Sequence, residues 1–256
     1  MMRIRKLLCL GIFSISTTLA TSASSDTIVL MADEWCPYNC EPGSDSPGFV
    51  VEIAREALTP FGHEIEYATL NWARALHRAG LGEINGVIGA VPDEAPEFIF
   101  GPAIGTYVDV LAFRRGEAID PDTIPERTDL RLGAINGYVY YGVVNQYIEA
   151  NVDDRSLIQY MSGEDALEKN LRKLIAGRLD MVAEVRAVLD YALAEPEWGD
   201  QIELAVTNEA SDIFIAFSPV LPSSRTYADQ LTLGVAQLRK SGRFDEIMSK
   251  YGQEAN

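Results

Sequence analysis

The sequence predicts an α/β protein of two lobes, each a mainly parallel sheet flanked by helices, joined by two crossover strands. Three observations carry this. From Asp26 onward, short apolar runs alternate with amphipathic helical segments, the β-α-β rhythm of a parallel sheet covered on its faces. A Pro- and Asp-rich break, EAIDPDTIPERTD, interrupts the rhythm, which then restarts. Two long strand-like runs, 104–116 and 212–219, bracket the second set of elements, so the chain crosses between halves twice.

In chain order, TIVLM (27–31) is a short apolar strand and 36–47 a turn-rich loop. GFVVEIAREALTPFG (48–62) puts Phe49, Val50, Ile53, Ala57 and Leu58 on one helical face, with Pro47 suited to its first turn and Pro60 to its stop. HEIEY (63–67) alternates as a half-buried strand, and Asn71 is placed to cap a helix through Trp72, Arg74, Leu76 and Ala79. GVIGAV (86–91) is a buried strand, and the long run 104–116 follows. After the break come a strand at 130–135, a helix at 142–151 and a strand at 156–160. A helix then opens on Ser162, with Asp165 at capping-box spacing. MVAEV (181–185), a helix on Val188, Leu189 and Ala192, and QIELAV (201–206) complete the second set. The run 212–219 and two helices, 227–239 and 242–251, close the chain. The expected division is 26–110 with 219–252 as one lobe and 111–218 as the other, with hinge strands at 107–115 and 212–218.

Charge and composition narrow the function. The 256 residues are 47% hydrophobic, enough to build a core, and carry 21 Lys and Arg against 38 Asp and Glu, a net charge of −17. Such a surface repels phosphate backbones and anionic bilayers, so nucleic acid is not an expected partner. Residues 1–23 read as a secretory signal: Arg3, Arg5 and Lys6 precede an apolar core from Leu7 to about Ile15, and small residues end at Ala20 or Ala23. Cleavage at either would leave a soluble, exported chain whose cysteines are Cys36 and Cys40, in CPYNC. An even pair in an exported chain suggests a disulfide that fixes one loop; a metal site is the rival, but His63 and His77 are the only histidines to complete it. Both histidines are expected at the surface. No Ser/His/Asp or Cys/His set, GxSxG, phosphate loop or full metal set is present, so no catalytic residue is assigned and no cofactor expected.

The strings WCPYNCEPG, GFVVEIAREAL, NWARAL, GVIGAVPDEAPEFIFGP, GAINGYVYYG, AGRLDMVAEVRAVL, IAFSP and SGRFDEIMSKYG follow one another in an order and spacing that resembles the bacterial extracellular solute-binding proteins of family 3, which have the type II periplasmic binding fold. The resemblance covers about 26–252. It implies a monomeric periplasmic clamp that closes on one small polar solute and presents it to the membrane permease of an ABC importer, or to a membrane receptor. A dehydratase-like enzyme for small acids on the same scaffold is a further alternative.

Two departures from the family bear on the ligand. Where amino-acid binders of the family place an Arg to clamp the ligand carboxylate, this chain has Glu94, which repels the same group. Where many relatives have Gly followed by Ser or Thr, this chain has Tyr138 after Gly137. The candidate ligand-binding residues are Trp35, Tyr38, Trp72, Arg74, Glu94, Asn136, Tyr138 and Glu184. Trp35 and Tyr38 would stack on a ring or cover a cation; otherwise they pack the loop. Arg74 would donate to ligand oxygens or pair with Glu52, Asp93 or Glu94. Glu94 and Asp93 would bind a cationic or hydroxyl-rich ligand or form a solvated acidic turn. Among Asn136, Tyr138, Tyr140 and Tyr141 at least one faces the cleft. Glu184 lies where relatives contact the ligand's amino group, or it pairs with Arg186.

Overall fold

A computed structural model describes residues 26–254 apart from Glu164 and Glu209, so the segment 1–23, expected to be a secretory signal, lies outside the described residues. The first half runs β1 (Thr27–Ala32), α1 (Phe49–Leu58), β2 (Glu64–Thr69), α2 (Trp72–Gly80), β3 (Gly86–Ala90) and β4 (Ile99–Tyr107). The second runs β5 (Asp109–Arg114), β6 (Leu132–Ile135), α3 (Gly142–Ala150), β7 (Ile158–Met161), α4 (Ala166–Ile175), β8 (Met181–Val185), α5 (Arg186–Leu193) and β9 (Ile202–Val206). The chain then returns as β10 (Ser211–Phe217), α6 (Ser224–Ser241) and α7 (Arg243–Lys250). No helix of the described residues is long and apolar enough to cross a membrane.

Two sheets of five strands result, ordered β2-β1-β3-β10-β4 and β7-β6-β8-β5-β9. In the first, β1 pairs in parallel with β2 and β3, while β10 runs antiparallel to β3 and β4. The second repeats the plan, with β6 parallel to β7 and β8, and β5 antiparallel to β8 and β9. Each lobe is therefore mainly parallel, and its one reversed strand is the strand that arrives from the other lobe.

That pairing redraws the crossings. The run 104–116 divides at Val108 into β4 and β5, which belong to different sheets, and β4 begins already at Ile99. Ser211–Phe217, read from the sequence as a hinge strand at the end of the second lobe, pairs within the first sheet. The connections lie at Val108 and at Thr207–Asn208, and they are tied together. The Thr207 N–H donates to the Asp109 carbonyl (3.0 Å), and the Asn208 amide donates to the Asp109 carboxylate (2.6 Å).

Burial explains the elements. Phe49, Val50, Ile53, Ala57 and Leu58 of α1 are all buried, each large apolar side chain worth about 1.5–3 kcal/mol. They pack beneath α6, where Gly234 lets the helices touch: a Cβ there would sit 2.1 Å from the Ala57 carbonyl oxygen.

Four local expectations are corrected. Pro47 precedes the first turn of α1, because Gly48 at φ 104° occupies the N-cap. Asn71 holds the N-cap of α2 without a side-chain hydrogen bond. The fourth helix starts at Ala166, not Ser162, because Gly163 at φ 104° turns the chain first and Asp165 takes the N-cap. His63 is buried. Its Nε2 lies 2.9 Å from Gln230 Oε1 and its ring packs edge-on to Tyr227, both on α6, which covers the start of β2.

Candidate functional site

The carboxyl ends of β1 and β3 in the first lobe face β5, β8 and the turn after β6 in the second. The loop after β1 is built on the amino end of α1, whose first N–H groups have no partner within the helix. Phe49 N–H donates to the Pro37 carbonyl (3.0 Å) and Val50 N–H to the Tyr38 carbonyl (3.0 Å). The Cys36–Cys40 disulfide closes the turn, and the Cys36–Pro37 peptide is cis. Tyr38 is buried below this loop and donates from its hydroxyl to the Thr106 carbonyl (2.8 Å). Trp35 stacks on it at 4.2 Å between ring centres and so faces the opposite lobe.

Between the lobes lies a cavity with about 70 Å³ available to the centres of water molecules. A single water needs roughly 10–15 Å³ by this measure, so several waters or the head of a small solute fit. Aromatic rings make much of its wall: Trp35, Trp72, Tyr107, Tyr138, Tyr140 and Tyr141. Four carboxylates join them, Asp33 and Glu94 from the first lobe and Asp109 and Glu184 from the second.

Each of these acids is held in place. Trp72 Nε1 donates to Glu94 Oε1 at 2.7 Å. Trp35 Nε1 donates across the cleft to Glu184 Oε1 at 3.0 Å, and Val185 N–H donates to the same oxygen at 2.8 Å. Tyr138 bridges the lobes a second time, its hydroxyl donating to Asp33 Oδ2 at 2.7 Å. Glu184 Oε2 is buried with no hydrogen-bond partner, and so is Asn39 Oδ1 on the cavity wall. Burial, opposed by these donors, pushes Glu184 and Glu94 up to about 7. It likewise pushes Asp33 and Asp109 up to about 6.

Of the sequence candidates, Trp35, Trp72, Glu94, Tyr138 and Glu184 line the cavity together. Tyr38 lies behind Trp35 as its support. Arg74 and Asn136 are exposed and stand outside the lining. The reason for Arg74 is helical phase: two residues beyond buried Trp72 is about 200° around the axis. Asn136 bonds through its backbone to Met161, and the turn at Gly137 (φ 90°) carries its side chain outward. The proposed partners also differ, since Glu52 pairs with Lys250 and Arg186 with Asp190. Asp33, Asn39, Tyr107 and Asp109 were not singled out from the sequence. Asp109 carried a signal, an acid inside the apolar run YVDVLAF.

The lobes also meet through apolar contact, with Val185 and Val188 of the second packed into the core of the first. Hydrogen bonds to charged acceptors contribute about 1.5–3 kcal/mol each. A Trp35→Phe, Tyr138→Phe double variant, which removes both bridging donors, is therefore expected to open the clamp and enlarge the radius of gyration in small-angle scattering. An unchanged radius would assign closure to the apolar contact instead.

No family model and no curated protein sequence matches this chain. Solved structures do. A histidine kinase sensor domain with similarity to periplasmic binding proteins superposes with a TM-score of 0.72 at 19% identity, covering 90% of this chain and 98% of its own. A structure from the glutathione import system of Streptococcus mutans, GshT with the cystine ABC importer TcyBC, gives 0.74 at 13% identity over 90% and 96% of the two chains. A substrate-binding protein of an ABC uptake transporter from Streptococcus pneumoniae with bound histidine gives 0.72 at 17% identity over 89% and 93%. At these identities the likeness is one of fold, and the fold is the two-lobed one shared by solute-binding proteins and sensor domains.

Proposed function

We propose that the protein is a periplasmic solute-binding protein that captures a small polar solute between its lobes by hinge closure and delivers it to an ABC importer. The observation that carries this is the cavity itself, whose wall is contributed by both lobes and whose closure is made by side chains that line it. A ligand touching both lobes stabilises only the closed state, which converts binding into a shape that a membrane partner reads. The substrate-binding proteins of ABC importers among the structural neighbours support this reading. A sensor domain of the same fold keeps a membrane receptor as the second partner to test.

The enzyme alternative would use Glu94 and Glu184 as an acid–base pair across the cleft. Each is instead anchored by an indole N–H, an arrangement suited to holding a ligand. The deciding experiment is to purify the exported protein, denature it and identify what is released by mass spectrometry. One small molecule per chain is expected, recovered unchanged after incubation. Re-added at about 100 times its dissociation constant, it should stabilise the protein by about 2.7 kcal/mol. Release of nothing, with no solute shifting the melting temperature, would overturn the proposal; conversion of the solute would establish the enzyme.

A further inference from the structure

We infer that the solute of this cleft is a small organic cation bearing N–H donors and no carboxylate, such as a protonated amine or a guanidinium. The inference rests on the solute-binding reading above and adds the charge and donor pattern of the ligand.

The sign of the cavity wall is its first support. Two carboxylates from each lobe converge on it, and among the described residues neither Lys, Arg nor His lines it. The same holds for an adjoining groove of about 500 Å³, which shares Val91, Tyr107 and Tyr141 with the cavity and adds Asp93 and Asp212. A ligand too long for the inner cavity thus continues along a path without a basic group. An anionic ligand, or the carboxylate of an amino acid, would be desolvated here beside like charges with no guanidinium to receive it, a juxtaposition that costs several kcal/mol.

The second support is independent of charge. Glu184 is only 3% exposed, yet its Oε2 has no donor, although Oε1 receives two. Asn39 Oδ1 is in the same position, while the amide's N–H groups donate to the Asp33 carbonyl and the Tyr67 hydroxyl. Both unpartnered atoms are acceptors on residues of the cavity wall. A buried acceptor without a donor is costly, so a ligand that moves these side chains enough to reach the two oxygens is best matched by N–H groups, which a quaternary ammonium lacks. The upward push that burial gives all four acids points the same way, since a cation among them offsets the cost of ionising them.

A bare metal ion fits less well. Among the described residues no three His, Cys, Asp or Glu side chains gather as a metal site, so the carboxylates are spread around a space larger than an ion. Rings fill the intervals, and Trp35, Trp72 and Tyr138 offer faces to a cation and to the hydrocarbon that carries it.

The test uses matched pairs that differ by one carboxylate, agmatine against arginine, histamine against histidine, and cadaverine against lysine, titrated calorimetrically into the purified protein. The decarboxylated member of at least one pair should bind about 30-fold or more tighter than its amino acid, and exhaustive N-methylation should remove that affinity. Glu184→Gln and Glu94→Gln should each weaken it about 10-fold or more while the unliganded protein stays folded by circular dichroism. Release of a carboxylate-free amine from the native protein supports the inference even if these three amines are inert. An amino acid that binds as tightly as its decarboxylated partner, or a released solute that is neutral or anionic, overturns the inference and leaves the solute-binding reading intact. Only the failure of every solute to bind removes both.

Discussion

Gly48→Ala should cost about 3 kcal/mol or more of stability and dismantle the ligand-facing loop with it. Gly48 has φ 104° and ψ 146°, a conformation a side chain strongly disfavours. Space forbids the change as well: a Cβ would lie 2.4 Å from both the Asn39 Cα and the Tyr38 carbonyl oxygen, backbone atoms that cannot swing aside. The Tyr38 carbonyl is one of the two through which the loop docks on α1. If the loop lifts, Phe49 and Val50 N–H lose the Pro37 and Tyr38 carbonyls, and Trp35 loses the ring that aims it at Glu184. Urea unfolding should show a fall of that size, and any residual folded protein should have lost ligand binding. Wild-type stability in the variant would mean that the loop is not seated on the helix as described.

The loop also shows what a sequence makes legible. CPYNC, read with the expected export signal, announced a tied turn, the strand before it placed that turn at a sheet's carboxyl end, and the family resemblance then pointed to Trp35 as a ligand-facing ring. What Trp35 touches was not: Glu184 is 149 residues away, and no local periodicity encodes the pairing. Trp72 and Glu94, 22 residues apart, were each proposed as ligand contacts, but their bond to one another follows from the adjacency of α2 and the β3 end in space. Arg74 was proposed on its charge, and its helical phase, which the charge does not reveal, sets it outside the cavity lining. His63 misled in the opposite sense, since the helix that buries it comes more than 160 residues later. Asp33 stood beside Glu34 as one of two acids after a strand, and only the fold distinguishes the one facing Tyr138. The sheets, by contrast, depend on alternating apolar runs, and those survive in the sequence. Even there β10 was read as a hinge strand between the halves, because an apolar strand does not reveal which of two sheets it pairs with, here the first.

The second large effect expected is a divergence between unliganded and liganded stability as pH rises. Glu184 is pushed up to about 7 in the folded state from 4.5, and at about 1.4 kcal/mol per unit this one group tilts stability by about 3 kcal/mol. Among the described residues no positive charge contributes to its shift. Trp35 and Val185 donate N–H groups, while Asp33 and Asp109 raise it further and the Tyr38, Tyr138 and Tyr140 rings exclude water. The raised acid binds its proton more tightly folded than unfolded. Its contribution is therefore fully present below pH 4.5 and is lost progressively as pH climbs to about 7; Glu94 behaves alike, and Asp33 and Asp109 do so up to about 6. A cationic ligand reverses the preference, because it pairs with the ionised acids and releases their protons. Its affinity should rise over the same interval and level off above about pH 7.5. Melting curves between pH 4.5 and 8 should accordingly show the unliganded protein weakening while the ligand-induced increment grows, and titrations in buffers of different ionisation enthalpy should report net proton release near pH 6.5. Unliganded stability that climbs from pH 4.5 to 7 would show that these carboxylates are ionised in a solvated cleft, and the desolvated acids on which the ligand assignment depends would have to be abandoned.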